Sequence, residues 1–445
     1  MRTLRIAVSC FFITTLFPLF SFAQEPITLN FMARWKGEHK RADLVREVVR
    51  EFEFLHPGIK VNMRFFEDLG FTGESDVAEN TARMIKEGKT DWDIVLFNTG
   101  QYFRVGEVLG DPQWVKEYLV DFSDFPWFKA TQKEVIFSDP NYKRESGDIF
   151  VGPYIEGFYC MLWYNKAVAD TIGIKIREYG MTGRDLIEYV KAVYEYNKKH
   201  ATKIGAFYEA HDWRSIEYLF QNMFKSEVGD LNELNSEEFT DAKQAALLKT
   251  LQFFEELAAY QPLIGSYDKN IWYDTRGLVL DDAALFFVNG SWMYSHWMNI
   301  DAKKTMKMFP AELPVFKSVD FCMGSYTPQF AVMKNSPHKA AAIEFLKFWS
   351  QPKIAEKWVL YTKCPTGLKG HFTTSDSADD QFEKFQAKMN EKYKDNFHFK
   401  DNAGFILGHK NRLLKSFLNE MMIDVLSGKR KAQEAYDEII KRLEK

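Results

Sequence analysis

The chain is 445 residues long and carries 58 basic against 62 acidic side chains. That near balance argues against a nucleic-acid binder, which needs a concentrated positive surface. The length exceeds one ordinary hydrophobic core, so two domains are expected.

In chain order, the first segment has three parts. Arg2 and Arg5 give a basic start, Ile6 to Phe20 is almost wholly apolar, and Ser21-Phe22-Ala23 puts small residues where a signal peptidase reads. The pattern predicts a secretory signal peptide over residues 1–23, cleaved after Ala23. The apolar run is short against the ~20 residues of a bilayer span, and Pro18 interrupts it. Cleavage removes Arg2 and Arg5, leaving 56 of the 58 basic residues against 62 acidic ones, a net charge of −6. Cys10 lies within the apolar run and no Cys stands where a lipid anchor would attach, so free diffusion in a periplasm is expected.

Apolar and polar residues alternate through Ile27-Thr28-Leu29-Asn30-Phe31, which predicts a strand. A polar loop, Ala33 to His39, leads into Leu44, Val45, Val48, Val49, Phe52 and Leu55 at helical spacing, stopped by His56-Pro57-Gly58. Ile59 to Phe65 reads as a second strand, Val77 to Glu87 as a helix, and Asp93 to Phe97 as a short buried strand. Strand, helix, strand, helix, strand predicts an α/β layer with parallel strands. Thr182 with Asp185 resembles a capping box. Ser336-Pro337 opens a helix with Ile343, Leu346 and Trp349 inside, and Ala432 to Leu443 closes the chain as an amphipathic helix. There is no internal repeat and no long Gly/Ser linker, so the domains are expected to share several crossings.

Five pieces then stand in order. Phe52 to Val61 runs F-E-F-L-H-P-G-I-K-V, and Asp93-Ile94-Val95 follows. Phe150-Val151-Gly152-Pro153-Tyr154 continues to Leu162-Trp163-Tyr164-Asn165-Lys166. Phe286 to Trp292 ends in Asn289-Gly290-Ser291-Trp292. Ala340 to Trp349 leads to Ser350-Gln351-Pro352 and Cys364-Pro365-Thr366-Gly367. Together they resemble the family-1 extracellular solute-binding proteins of ABC importers, the maltose-binding-protein-like group. Ser291 stands where that group usually has Pro. The resemblance implies an α/β, two-lobed periplasmic-binding-protein fold with mixed sheets, a hinge of two to three crossings and a ligand cleft between the lobes. It implies a first lobe of residues 24–156 plus about 315–365 and a second of 157–314 plus about 366–445, with crossings near Glu156-Gly157, near Leu313-Pro314 and after the Trp349 helix.

Ligands in such folds meet the loops at the carboxyl ends of strands. The loop after the first strand offers Trp35, Lys36, Glu38 and His39, as a stacking ring with charged groups or as a solvated loop. Asn98, Thr99, Gln101 and Tyr102 follow the third strand. Their amides can both donate and accept, as a sugar hydroxyl requires, although a plain turn would look the same. The crossing offers Tyr154 and Glu156, as ligand contacts or hinge residues. Asp212-Trp213-Arg214 is a cleft cluster or a helix start. Trp272 and Tyr273 could cover an entrance. The resemblance implies that Trp292 stacks on a sugar, with Gly290 letting backbone come close; a core Trp is the alternative. Tyr326 follows a Gly-containing turn near a crossing.

Other features carry less. His211 beside Asp212 lacks further ligands, and the nine histidines show no zinc spacing. Asp281 and Asp282 are adjacent and point opposite ways on extended chain, so they cannot flank one glycosidic bond. There is no nucleophile motif and no phosphate loop. Cys160, Cys322 and Cys364 remain after cleavage, an odd number that leaves at least one outside any intramolecular disulfide. The expectation is therefore a monomeric periplasmic binding protein, not an enzyme, with no cofactor and no metal. It would carry a mono- or oligosaccharide to an ABC permease in the inner membrane. The alternatives are a secreted carbohydrate-active enzyme, a carrier of a polyamine, small anion or ferric ion, and a binding protein that signals to a membrane sensor.

Overall fold

The computed structural model describes residues 26–444 except 72, 212, 266, 371–380, 395 and 399–402. The expected signal peptide, 1–23, and Asp212 lie outside the described residues. No described helix is long and apolar enough to cross a membrane.

The first sheet is built from β1 (Ile27–Ala33), β2 (Ile59–Phe65), β3 (Ile94–Leu96) and β9 (Phe330–Val332), in the order β2-β1-β3-β9. β1 runs parallel to β2 from Ile27 opposite Ile59 to Ala33 opposite Phe65, while β9 is antiparallel to β3. The expected strand–helix alternation accounts for this, because a helix must return the chain before a parallel strand can pair. That helix, His39–Leu55, buries Leu44, Val45, Val48 and Phe52, and Phe31, Phe52, Phe330 and Phe345 meet edge-to-face in the core.

The second sheet contains β4 (Glu156–Asn165), β5 (Gly205–Phe207), β6 (Ala284–Gly290), β7 (Met308–Ala311), β8 (Cys322–Thr327) and β10 (Phe397–His398). Its order is β10-β8-β4-β6-β5, with β7 also on β4. All ten residues of β4 are buried, which explains its unbroken apolar run. A separate core packs around Leu162, Phe207, Phe286 and Leu257.

The chain passes between the sheets three times. The first passage is at Glu156, where β4 begins. The second comes between β8 and β9, around Pro328, later than the Leu313-Pro314 position expected from the resemblance. The delay has a physical cause: Val315 N–H donates to Met181 O at 3.1 Å and β8 pairs with β4, so this stretch is held on the second lobe. The third follows the helices Lys339–Trp349 and Pro352–Thr362, where Gly157 N–H donates to Pro365 O at 2.8 Å and Gly367 N–H to Tyr154 O at 3.0 Å.

Thr182 and Asp185 form the expected capping box. The Ser336 hydroxyl accepts the His338 N–H at 3.0 Å just ahead of the helix, which starts at Lys339, and donates to the buried Asp93 carboxylate at 2.6 Å. A buried carboxylate needs such a donor. Cys160, Cys322 and Cys364 are buried thiols.

Candidate functional site

The second-lobe wall begins where β5 ends. Glu209 is 1% exposed and gathers the N–H groups of Ala210, Ser215 and Ile216 at 3.1, 3.1 and 2.6 Å. Arg214 donates to Ala210 O at 2.8 Å and Tyr267 O at 2.9 Å. These bonds close a loop that presents Trp213. Burial pushes the Glu209 carboxyl up to about 7, partly offset by those amides. Trp213 meets Trp272 edge-on at 4.2 Å between ring centroids and lies nearly parallel to Trp292 at 6.2 Å. Trp292 in turn meets Phe158 edge-on at 5.2 Å, and Trp272 is parallel to Phe287 at 6.1 Å. All three tryptophans are only partly buried. Gly290 makes room for the arrangement: a Cβ there would lie 1.9 Å from the Trp292 ring.

The first-lobe wall is organised around an arginine that sequence reasoning passed over. Arg41, 3% exposed, pairs with Glu156 at 3.2 Å and with Glu38 at 3.1 Å, and its guanidinium lies over the Trp358 ring at 5.2 Å. Gln329 donates to the other Glu156 oxygen at 2.7 Å and accepts from Arg34 at 3.0 Å. Both oxygens of Glu156 therefore have protein partners, and the carboxylate ties the crossing to the loop after β1. Arg41 also donates to the Cys364 thiol at 3.5 Å, reaching the third passage. Trp35 is 2% exposed, with Phe330 at 5.8 Å and Trp358 at 5.1 Å. Its φ of 79°, rare for a bulky residue, turns the ring inward, so it is a core ring rather than a loop platform. Glu38 keeps partial exposure.

The remaining candidates fall elsewhere. The Asn98 side chain accepts the Gln101 N–H at 2.9 Å and caps the helix Thr99–Leu109, with Gln101 buried. Tyr154 and Tyr326 are each 1% exposed and both pack against Tyr142, edge-on at 5.6 Å and stacked at 6.2 Å. The Tyr154 hydroxyl donates to Tyr142 O at 3.1 Å, and Lys133 donates to the Tyr326 hydroxyl at 2.8 Å. The structure thus gathers Trp213, Trp272 and Trp292 into one group and Trp35, Glu38 and Glu156 into another, while Tyr154 and Tyr326 form a buried group near the crossings.

The two lobes touch around these groups. Asn299 donates to Gly37 O, Asn141 to Asn235 Oδ1 at 3.1 Å, and Arg144 approaches Glu237 at 3.7 Å. A separate cavity of about 290 Å³ opens in the second lobe beside Thr182, Asn222, Glu312 and Tyr393, and none of the candidate residues lines it. No group of His, Cys, Asp and Glu among the described residues could hold a metal ion.

Residues 47–384 match the model of a family described as bacterial extracellular solute-binding protein. No curated protein is significantly similar in sequence. Among solved structures, the GacH receptor of Streptomyces glaucescens, determined unliganded and with acarbose, is 15% identical with a TM-score of 0.67, covering 93% of this chain and 96% of that one. RafE of Streptococcus pneumoniae in complex with raffinose is 16% identical with a TM-score of 0.65, covering 92% and 98%. Maltose-bound MalE3 of T. maritima is 15% identical with a TM-score of 0.63, covering 94% and 99%. At these identities the likeness establishes the two-lobed fold.

Proposed function

Because the chain belongs to the bacterial extracellular solute-binding proteins, we propose that it binds a mono- or oligosaccharide between its lobes and delivers it to an ABC permease of the inner membrane. It works in the periplasm as a monomer, after removal of residues 1–23. The observation that carries the sugar reading is the group of three partly exposed tryptophans, Trp213, Trp272 and Trp292, beside the helix whose Asn299 reaches Gly37 O of the first lobe. Aromatic faces receive the C–H face of a sugar ring, and neighbouring polar groups receive its hydroxyls. Acarbose, raffinose and maltose in the similar structures support the same ligand class. A glycosidase would need two carboxylates on opposite sides of the bond it cuts. Glu38, at the start of the helix His39–Leu55, and Glu67, in the 3-10 turn Phe66–Leu69, both belong to the first lobe.

A thermal-shift panel of sugars, spermidine and phosphate tests the proposal. A ligand at about 100 times its Kd stabilises the folded state by about 2.7 kcal/mol, so a sugar should raise the melting temperature and spermidine and phosphate should not. By calorimetry, Trp292→Ala should bind that sugar about 10-fold more weakly, near the upper end of the ~0.5–1.5 kcal/mol that an aromatic stacking contact supplies. Unchanged affinity would remove Trp292 from the site.

A further inference from the structure

The helix Met293–Thr305 follows Trp292 directly, and Trp292 itself has helical backbone angles. Residues four and seven positions on therefore share its face. They are His296 and Asn299. Asn299 reaches across to Gly37 O in the first lobe, and Trp292 joins the tryptophan group. The stripe Trp292–His296–Asn299 is thus the part of the second lobe turned toward the loop after β1. Between its two ends His296 is 8% exposed, and its Nε2 is buried with no hydrogen-bond partner among the described residues.

A buried imidazole nitrogen without a partner costs free energy unless something supplies one. The fold gives no sign of charging the ring to recover that cost. Burial holds the His296 pKa down at about 4, with Arg276 and Arg41 adding to the lowering and Glu38 opposing it. The neutral ring offers one N–H and one lone pair, the same pair of roles that a hydroxyl offers. Glu67, in the turn after β2, repeats the pattern from the first lobe. Its Oε2 is buried without a partner among the described residues, and burial raises its pKa while Arg34 lowers it. Lys36, in the loop that carries Glu38, pairs with Asp68 beside Glu67, while Asn299 on the His296 face reaches Gly37 of the same loop, and the Glu38 charge is felt at both Glu67 and His296.

Resting on the sugar-binding reading above, we infer that His296 and Glu67 are the hydrogen-bonding contacts of the cleft, taking hydroxyls of a neutral saccharide whose ring faces lie on the tryptophan group. The ligand class is narrowed by the same residues. A carboxylate-bearing sugar would bring its charge toward Glu38 and Glu67, whereas a neutral polyhydroxylated ring satisfies both orphaned atoms without adding charge.

The test uses the mature full-length protein with maltotriose, raffinose, stachyose, chitotriose and galacturonate trimer as probes. Calorimetry on wild type should find binding to at least one neutral sugar and none to the uronate. For that sugar, His296→Phe and His296→Ala should lose 10- to 100-fold in affinity and Glu67→Gln about 10-fold, with His200→Ala, an exposed histidine elsewhere, unchanged. Because a buried substitution can impair folding, histidine ring ¹⁵N resonances are followed in wild type as well. The Nε2 resonance of His296 should shift at saturation. If wild type binds a neutral sugar while His296→Phe binds equally and the Nε2 resonance stays put, the assignment of His296 fails and the sugar reading stands. Tighter binding of the uronate than of any neutral sugar overturns the ligand class. If wild type binds none of the probes, the sugar reading fails and this inference falls with it.

Discussion

At Glu209 a carboxylate lies beneath the loop that carries Trp213, and burial holds its pKa up at about 7 against an ordinary 4.5. A raised folded pKa means that this group's contribution to stability is complete below about pH 4.5 and is lost as pH climbs through about 7. The difference amounts to about 3 kcal/mol. Between about pH 5 and 8, the melting temperature of wild type should fall more than that of Glu209→Gln, and equal slopes by calorimetric melts would show that Glu209 does not titrate there. Arg41 makes the opposite case, a cation kept charged. Arg41→Ala leaves Glu156, 7% exposed, without its countercharge, and should cost about 3–5 kcal/mol in urea unfolding. Replacing Arg41 and Glu156 together by Met should recover much of that loss, because the penalty belongs to the uncompensated charge. None of this was visible in sequence. Arg41's partners Glu156 and Cys364 lie far along the chain.

The turn from β6 into the helix Met293–Thr305 sets the aromatic wall. Gly290 has no side chain because the Trp292 ring occupies that space. Gly290→Ala should therefore cost about 1–3 kcal/mol, as overpacking does, and should alter tryptophan fluorescence by displacing the Trp292 ring. An unchanged emission spectrum would show that the ring tolerates the methyl group. This element was legible in sequence, since the motif Asn289-Gly290-Ser291-Trp292 pointed to it. The stripe that continues from it was also within reach: His296 stands four residues beyond Trp292, a spacing that helical periodicity places on one face. The burial of its Nε2, without a partner among the described residues, was not, because burial is set only when distant segments meet.

Across the whole molecule, one core runs from Phe31 and Phe330 of the first sheet to Trp163, Phe287 and Cys322 of the second, the other lies within the second lobe, and three passages and several polar contacts also join the lobes. The buried thiols Cys160, Cys322 and Cys364 lie in both cores and at the third passage. Ellman's reagent should find no accessible thiol in the native mature protein and all three after denaturation in guanidinium; rapid native labelling would contradict the burial. Contacts such as Asn141 with Asn235 and Asn299 with Gly37 hold the lobes together. A hinge protein with such contacts should populate a more open form when empty. Small-angle scattering should then show a smaller radius of gyration on addition of a sugar that binds, and an unchanged radius would argue against closure.

Sequence by itself determined the strand–helix alternation of the first sheet and the capping box at Thr182, and it put forward Trp213, Trp272 and Trp292 as candidates. Each of these is written in local periodicity or in a short motif, where neighbouring residues carry the information. Tertiary structure decided the rest. It turned Trp35, Tyr154 and Tyr326 into buried rings, gave both oxygens of Glu156 to protein partners, and moved the second passage from Leu313 to the β8–β9 link. It also brought the loop after β1 against Asp68 and Asn299, through Lys36 and Gly37. Those outcomes depend on burial and on charges paired across long stretches of chain, and neither quantity exists until distant segments meet.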